Sequence, residues 1–280
     1  MKEINISDII NAVESLCIEA NLYLNEDIRD ALKRNTQVEE SDIGCSVLES
    51  LIKNADIAAD EGLPICQDTG MAVLFVELGQ EVHINGGSLE EALNEGVRRG
   101  YLKGYLRKSV VEDPIRRKNT GDNTPAVIYY DIVPGDKLII HVAPKGFGSE
   151  NMSVIKMLKP SDGIEGVKKA VLDAVSVAGA NPCPPIIVGV GIGGTMDKAA
   201  LLAKKALMRP INEHNSDSYY KALEEELLER INLLGIGPAG LGGRVTALGL
   251  NIETYPTHIA GLPVAVNIGC HATRHKSVTL

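Results

Sequence analysis

The sequence predicts an α/β fold, mixed β-sheets flanked by helices with a helix-rich N-terminal part, as a single compact unit over residues 1–280. Three observations carry this. The first sixty residues repeat apolar side chains at helical spacing. The remainder alternates short β-branched runs with amphipathic segments. No repeat at a fixed period and no low-complexity linker separates two halves. The nearest thing to a boundary is the polar link from Arg209 to Ser218.

Taken in order, Ser7 is placed to cap a helix with Ile10, Val13, Leu16, Cys17 and Ala20 on one face. Asn25 opens a second through Ile28 and Leu32, and Ser41 a third with Val47, Leu48, Leu51, Ile52 and Ala55. MAVLFVEL reads as a buried strand. Ser88 with Glu91 forms a capping box for a helix running to about Tyr105. AVIYYDIV and KLIIHVAP are strands joined by PGD, a hairpin signal. After the loop KGFGSEN, Ser161 starts an amphipathic helix that ends at AGANPCPP. Strand IIVGVGI, helix MDKAALLAKKALM, a charged helix to about Leu234, and strands RVTALGLNI and PVAVNIG complete the pattern.

Composition narrows the function. No apolar run approaches the ~18 residues of a membrane span, and the first residues, MKEINISDII, lack the basic start and apolar middle of a signal peptide. A soluble, cytoplasmic protein is expected. A net charge of -9 disfavours nucleic acid, because phosphate neutralisation needs clustered Lys and Arg. Small basic groups (Arg116, Arg117 and Lys118; Arg274 and Lys276) remain available for a small anion or a partner, while Arg98 and Arg99 read as a solvated face.

Five cysteines in a reducing compartment point to packing, catalysis or metal rather than disulfides. Cys17 and Cys45 sit within helices and read as small buried hydrophobes. Cys66 in PICQDTG, Cys183 in NPCPP and Cys270 in IGCHATRH each stand where Pro or Gly bends the chain beside a strand, the setting in which chemistry is commonly placed. None forms a C-x-x-C pair. Zinc with His258, His271 or His275 stays open, as do three unrelated buried thiols. A third reading is a cubane iron-sulfur cluster with three cysteine-bound irons and one open iron. GVGIGG, Gly189–Gly194, has the G-x-G-x-x-G spacing but no acidic strand end about twenty residues later. Its glycines read as contact points between strand and helix. GPAGLGG lacks the Lys-Ser/Thr of a P-loop.

Together PICQDTG, LRKSVVEDP with RKNTGDNTPAVI, KGFGSEN, GANPCPPIIVGVGIGGT and RVTALGLNIETYPTHIAGLPVAVNIGCHATRH resemble the class I iron-sulfur fumarate hydratases and the similar L(+)-tartrate dehydratases, over nearly the whole chain. The match is to the α subunit of the two-subunit form, or to the N-terminal half of the fused form. The resemblance implies a 4Fe-4S cluster on Cys66, Cys183 and Cys270. It sets Gln67 and Asp68 against the substrate, has Arg107 and the backbone of Gly148 hold carboxylate, and has His258 accompany Asp68. It also implies a dicarboxylate substrate and a β subunit that supplies a hydroxyl residue as the second half of the acid-base pair, in an α2β2-type assembly. A non-catalytic iron-sulfur redox sensor is the alternative from another class; it would need the cysteines but not Gln67, Asp68, Arg107 and His258.

Overall fold

The computed structural model describes residues 2–280. In chain order the elements are β1 (Lys2–Asn5), α1 (Ile6–Leu22), α2 (Glu26–Thr36), α3 (Asp42–Glu61), β2 (Met71–Gly79), β3 (Val82–Asn85), α4 (Leu89–Lys103), β4 (Val127–Val133) and β5 (Leu138–Lys145). They continue with α5 (Phe147–Glu150), β6 (Val154–Leu158), α6 (Gly163–Ala178), β7 (Ile186–Gly193), α7 (Met196–Ala206), α8 (Ser218–Asn232), β8 (Ala247–Tyr255), β9 (Leu262–Gly269) and β10 (Lys276–Thr279). The mixed α/β class expected from the sequence is the one observed.

The residues divide into two compact units. The first contains the chain up to Leu24, Ala55–Phe147 and Arg274–Leu280; the second contains Asn25–Asn54 and Gly148–Thr273. The polar link Arg209–Ser218 lies inside the second unit.

In the first unit a sheet of order β10-β5-β2-β4 is accompanied by the parallel pair β1-β3. Residues Ala72–Val76 are all buried, as a central strand requires, and β2 meets that need by pairing antiparallel with β5 and parallel with β4. The strands joined by PGD are therefore not a hairpin: β2 lies between them. Helices α1 and α4 pack on each other through glycine. A Cβ on Gly96 would stand 2.6 Å from Val13 Cβ, and one on Gly100 2.7 Å from Cys17 Cβ. Asn5, rather than Ser7, caps α1 by accepting from the Ser7 N–H at 2.9 Å.

In the second unit the sheet has the order β6-β9-β7-β8, with β7 and β8 parallel and β9 antiparallel to β7. Helices α6 and α8 bury Val167, Val171, Val175, Leu227 and Ile231 against Val188, Val190 and Ile252. On the other face α7 lies close to β7, because a Cβ on Gly189 or Gly191 would come within 2.1 Å of the Ala203 or Ala199 carbonyl oxygen. The GVGIGG glycines thus serve strand-on-helix contact, as the sequence suggests. The helix expected at Ser161 begins at Gly163, after a single 3-10 turn over Pro160–Asp162. No described helix is long and apolar enough to cross a membrane.

One buried carboxylate holds the glycine-rich turn before β8. Glu39, 7% exposed, accepts from the backbone N–H groups of Val245 at 2.7 Å, Arg244 at 3.0 Å, and Ser41 and Glu40 at 2.9 Å. Gly243 leaves the room, since a Cβ there would stand 2.5 Å from Glu39 Oε1. Burial pushes the Glu39 carboxyl up, but the four N–H donors outweigh it and hold the group below its ordinary value. A depressed folded value means that this contribution is present above the unfolded value, ~4.3, and is lost as pH falls through the lower folded value. Glu39→Ala should therefore cost at least ~2 kcal/mol at neutral pH, from the charge-assisted bonds removed and the N–H groups left bare. Thermal melts at pH 7 and in the acid range check this: the gap to wild type should narrow on acidification, and a constant gap would contradict it.

Candidate functional site

The segment Ile65–Gly70 enters β2 as a fixed turn. Gly70 has φ +76, and a Cβ there would stand 2.8 Å from the Lys145 backbone, so only glycine meets both demands. Its position is set by the β2–β5 register, which pairs Met71 with Lys145. Asp68 is thereby carried beside the Gly146–Phe147 corner that follows β5. Its Oδ1 accepts from Gly70 N at 3.0 Å and its Oδ2 from Phe147 N at 2.9 Å. Asp68 does cap its own turn, and it also spans to a second loop. Because each carboxylate oxygen can accept more than once, these two bonds orient the group and leave a lone pair on each oxygen.

Around Asp68 stand other residues singled out from the sequence. Cys66 Sγ lies 3.6 Å from Gln67 Oε1, and Gln67 is exposed. Thr69 Oγ1 donates to the Arg107 carbonyl at 3.1 Å, tying the Arg107 loop to this turn. The Arg107 side chain is exposed, and among the described residues no hydrogen bond or ion pair engages its guanidinium. The first unit therefore brings Cys66, Gln67, Asp68 and the Arg107 backbone into one neighbourhood.

The second unit assembles Cys183 and Cys270. β7 starts just after NPCPP and β9 ends just before Cys270, and the two strands pair antiparallel with Ile187 opposite Gly269. Both cysteines therefore sit at one end of adjacent central strands. His271 ties the two ends together by donating from Nδ1 to the Cys183 carbonyl at 3.0 Å. Cys183 itself has φ 57, a left-handed conformation uncommon for a residue with a Cβ. Gly148 belongs to this end: a Cβ on it would lie 3.7 Å from the Asn181 carbonyl, two residues before Cys183.

Sequence reasoning missed the support behind Gly148. Glu150, in the same short helix, accepts from Lys204 Nζ of α7 at 2.6 Å and from Asn267 Nδ2 of β9 at 2.9 Å. It links the KGFG loop to the strand that ends at Cys270. The one available signal was an acid directly after KGFGS, which no spacing rule ranks.

His258 is placed differently. Its loop follows β8, whose Tyr255 pairs with Gly193, and Thr257 Oγ1 donates to the Gly194 carbonyl at 2.9 Å. That is the opposite end of β7 from Cys183 and Cys270. With about 3.3 Å per strand residue, the separation is roughly 20 Å. His258 is exposed and accepts from Ala260 N through Nδ1 at 3.1 Å, which leaves Nε2 to carry the proton when the ring is neutral.

None of the five cysteines is in a disulfide; Cys183 is exposed, and Cys66 and Cys270 are partly so. Cys17, by contrast, is fully buried and its thiol is pushed up to about 12 by burial, the state of a packing residue. Accessible thiols on bends beside strands are the donor chemistry that an iron-sulfur cluster takes. No group of three or more His, Cys, Asp or Glu side chains among the described residues is gathered as a ready metal cage.

The basic groups divide. Arg98 pairs with Glu95 and, at 2.8 Å, with Asp122; Arg99 pairs with Glu95 at 2.7 Å, and Lys118 with Glu112 at 3.0 Å. Arg98, Arg99 and Lys118 are thus engaged in surface ion pairs. Burial pushes the Asp122 carboxyl up, but Arg98 and Thr124 hold it down at about 2. Arg274, expected to be available to an anion or partner, is instead 4% exposed. It donates to the Asp68 carbonyl at 2.7 Å and to Asn21 Oδ1 at 3.2 Å. A basic C-terminal run reads as solvated only until its tertiary partners are known.

Comparison with known proteins agrees with these motifs. A chain from Methanocaldococcus jannaschii named "Putative L(+)-tartrate dehydratase subunit alpha" is 45% identical over 272 residues, 95% of each protein. The L(+)-tartrate dehydratase subunit alpha of Escherichia coli K12 is 37% identical over 257 residues, 90% of this chain and 84% of that one, and the Shigella sonnei protein of the same name matches to the same extent. The family described as Fumarate hydratase (Fumerase) matches residues 10–279, so with its Cys66–Gly70 turn and its paired Cys183 and Cys270 ends the chain belongs to the fumarate hydratase family.

Proposed function

We propose that the chain is the α subunit of a two-subunit iron-sulfur hydro-lyase that reversibly hydrates fumarate to (S)-malate. The observation that carries this reading is the Asp68 carboxylate, two residues from Cys66 and fixed on both oxygens by backbone N–H groups of two different loops. Cys66, Cys183 and Cys270 are the residues that would hold a 4Fe-4S cluster. When bound, such a cluster supplies an open iron that acts as a Lewis acid on the substrate carbon–oxygen bond.

The chain's own residues supply the rest. Dehydration removes a carbon-bound proton and a hydroxyl from neighbouring carbons. Asp68 delivers a proton to the departing hydroxyl oxygen and, in the hydration direction, takes one from the adding water. The base for the carbon-bound proton comes from the β subunit. Arg107 is the planar donor suited to a substrate carboxylate, which an acidic protein must meet with local cations. Backbone N–H groups at Gly148 and the Gln67 amide complete substrate orientation. His258, at the opposite end of its own sheet from Cys183 and Cys270, accompanies Asp68 in an α2β2-type assembly.

A second reading, L(+)-tartrate dehydration to oxaloacetate, is favoured by the names of the relatives. (S)-Malate and tartrate differ by one hydroxyl. Anaerobic co-expression with the β subunit, followed by assays with fumarate, (S)-malate and both tartrates, separates them. Turnover of fumarate and malate is expected to exceed that of tartrate; the reverse order selects the dehydratase, and no turnover of any of them overturns the hydro-lyase reading.

A further inference from the structure

Every carbonyl of the Asp68–Gly70 segment accepts from a buried side chain. Asp68 O takes Arg274 Nη2 at 2.7 Å, Thr69 O takes the Tyr101 hydroxyl at 2.8 Å, and Gly70 O takes Asn123 Nδ2 at 3.2 Å. The Tyr101 hydroxyl also lies 3.0 Å from Gly70 O, and its single proton is shared between the two carbonyls. Tyr101 and Asn123 are fully buried, and Arg274 is 4% exposed. Among these donors only Arg274 is charged, and only it touches the carbonyl of the residue that bears the working carboxylate.

Its second bond explains how it holds that place. Nε donates to Oδ1 of Asn21, which is 1% exposed in the last turn of α1. Asn21 is itself committed: Nδ2 donates to Cys17 O at 2.9 Å, and its main-chain oxygen accepts from Ile65 N at 2.9 Å. Helix α1 thus grips the turn twice, at its entry through Ile65 and at Asp68 through Arg274. Rotation of the Asp68–Thr69 peptide would break the Arg274 bond. A guanidinium can meet two acceptors at fixed angles, whereas a lysine ammonium on a single stem cannot reproduce that fork.

We propose that Arg274 is a positioning residue for Asp68, acting with Asn21 to fix the backbone from which the carboxylate reaches the substrate. This rests on the acid-base assignment of Asp68. The test uses the anaerobic αβ complex with Arg274→Gln, Arg274→Lys and Asn21→Ala, measuring iron and sulfide per α chain, KM, and kcat per cluster. Arg274→Gln should keep cluster content and leave KM within about twofold while kcat per cluster drops roughly 10²-fold, the cost of a misplacement near 1 Å. Arg274→Lys should fall between the two, and Asn21→Ala should lose roughly tenfold on the same argument. A kcat per cluster within about threefold of wild type in Arg274→Gln, or a loss confined to KM or to cluster content, overturns the proposal. Should Arg274→Gln fail to fold, the same split in Arg274→Lys and Asn21→Ala decides it. Wild-type turnover tests the function; the variant-to-wild-type ratio tests Arg274. A wild-type complex inactive on all of these substrates overturns both.

Discussion

Asp68→Asn in the αβ complex is expected to keep cluster content and assembly and to lose about 10²–10⁴-fold in kcat, the range that a positioned proton-transfer group contributes. The substitution is nearly isosteric, but it removes the proton-carrying oxygen. It also turns an NH2 toward either Gly70 N or Phe147 N, both of which now donate to the carboxylate at about 3 Å. One backbone donor is then left facing another, so a stability loss of about 1–2 kcal/mol should accompany the kinetic one. Measuring kcat per cluster beside a thermal melt separates the two effects. A redox sensor that needs only the cysteines predicts a different outcome: cluster and function both intact in Asp68→Asn. Retention of full turnover would remove Asp68 from the chemistry and leave the turn a purely structural device.

Co-expression of two α chains extends the same experiment. Asp68→Asn and His258→Ala chains expressed together should complement each other in part if the histidine that serves Asp68 comes from a second copy. Mixed assemblies would contain some sites with both native residues. A histidine acting within its own chain gives no such recovery.

What the sequence made legible was local. The helices α1 to α3 follow from apolar periodicity, and the cysteine bends from Pro and Gly beside strands. Strand β2 between β4 and β5 was not legible, because a PGD turn carries the same hairpin signal whether or not a strand from some fifty residues earlier inserts between its arms. The four-residue strands β1 and β3 are too short for alternation to register, and the edge strand β6 exposes Val154, Ile155 and Met157. Among site residues, Cys66, Cys183 and Cys270 stood out as thiols in bends marked by Pro or Gly, whereas Asp68, an ordinary turn residue by itself, was singled out only by the family resemblance. Arg274, Asn21 and Glu39 did not stand out. Their environments are made by partners 206 to 253 residues away, so an arginine in a basic tail and a glutamate between helices look solvated until the chain is folded.

The cysteines permit a sharper contrast than loss of activity alone. Cys270→Ser and Cys183→Ser should each abolish stable iron and sulfide binding and reduce turnover to background, with little change in the melting of the cluster-free chain. Both thiols are accessible and neither lies in an apolar cluster, so a hydroxyl costs the cluster-free fold nothing comparable. Cys17→Ser should do the reverse. Its side chain is fully buried between α1 and α4, against Gly100, in a site so dry that burial alone pushes the thiol up to about 12. A serine hydroxyl there must find an acceptor among apolar neighbours or go without, at a cost of about 1–3 kcal/mol. Iron content and kcat per cluster should nevertheless match wild type. Iron and sulfide assays read against cluster-free melts check both halves. Iron retained at wild-type level in Cys270→Ser would remove that residue from the ligand set, whereas iron lost in Cys17→Ser without a fall in stability would mean that the buried thiol, not the bend, belongs to the metal chemistry.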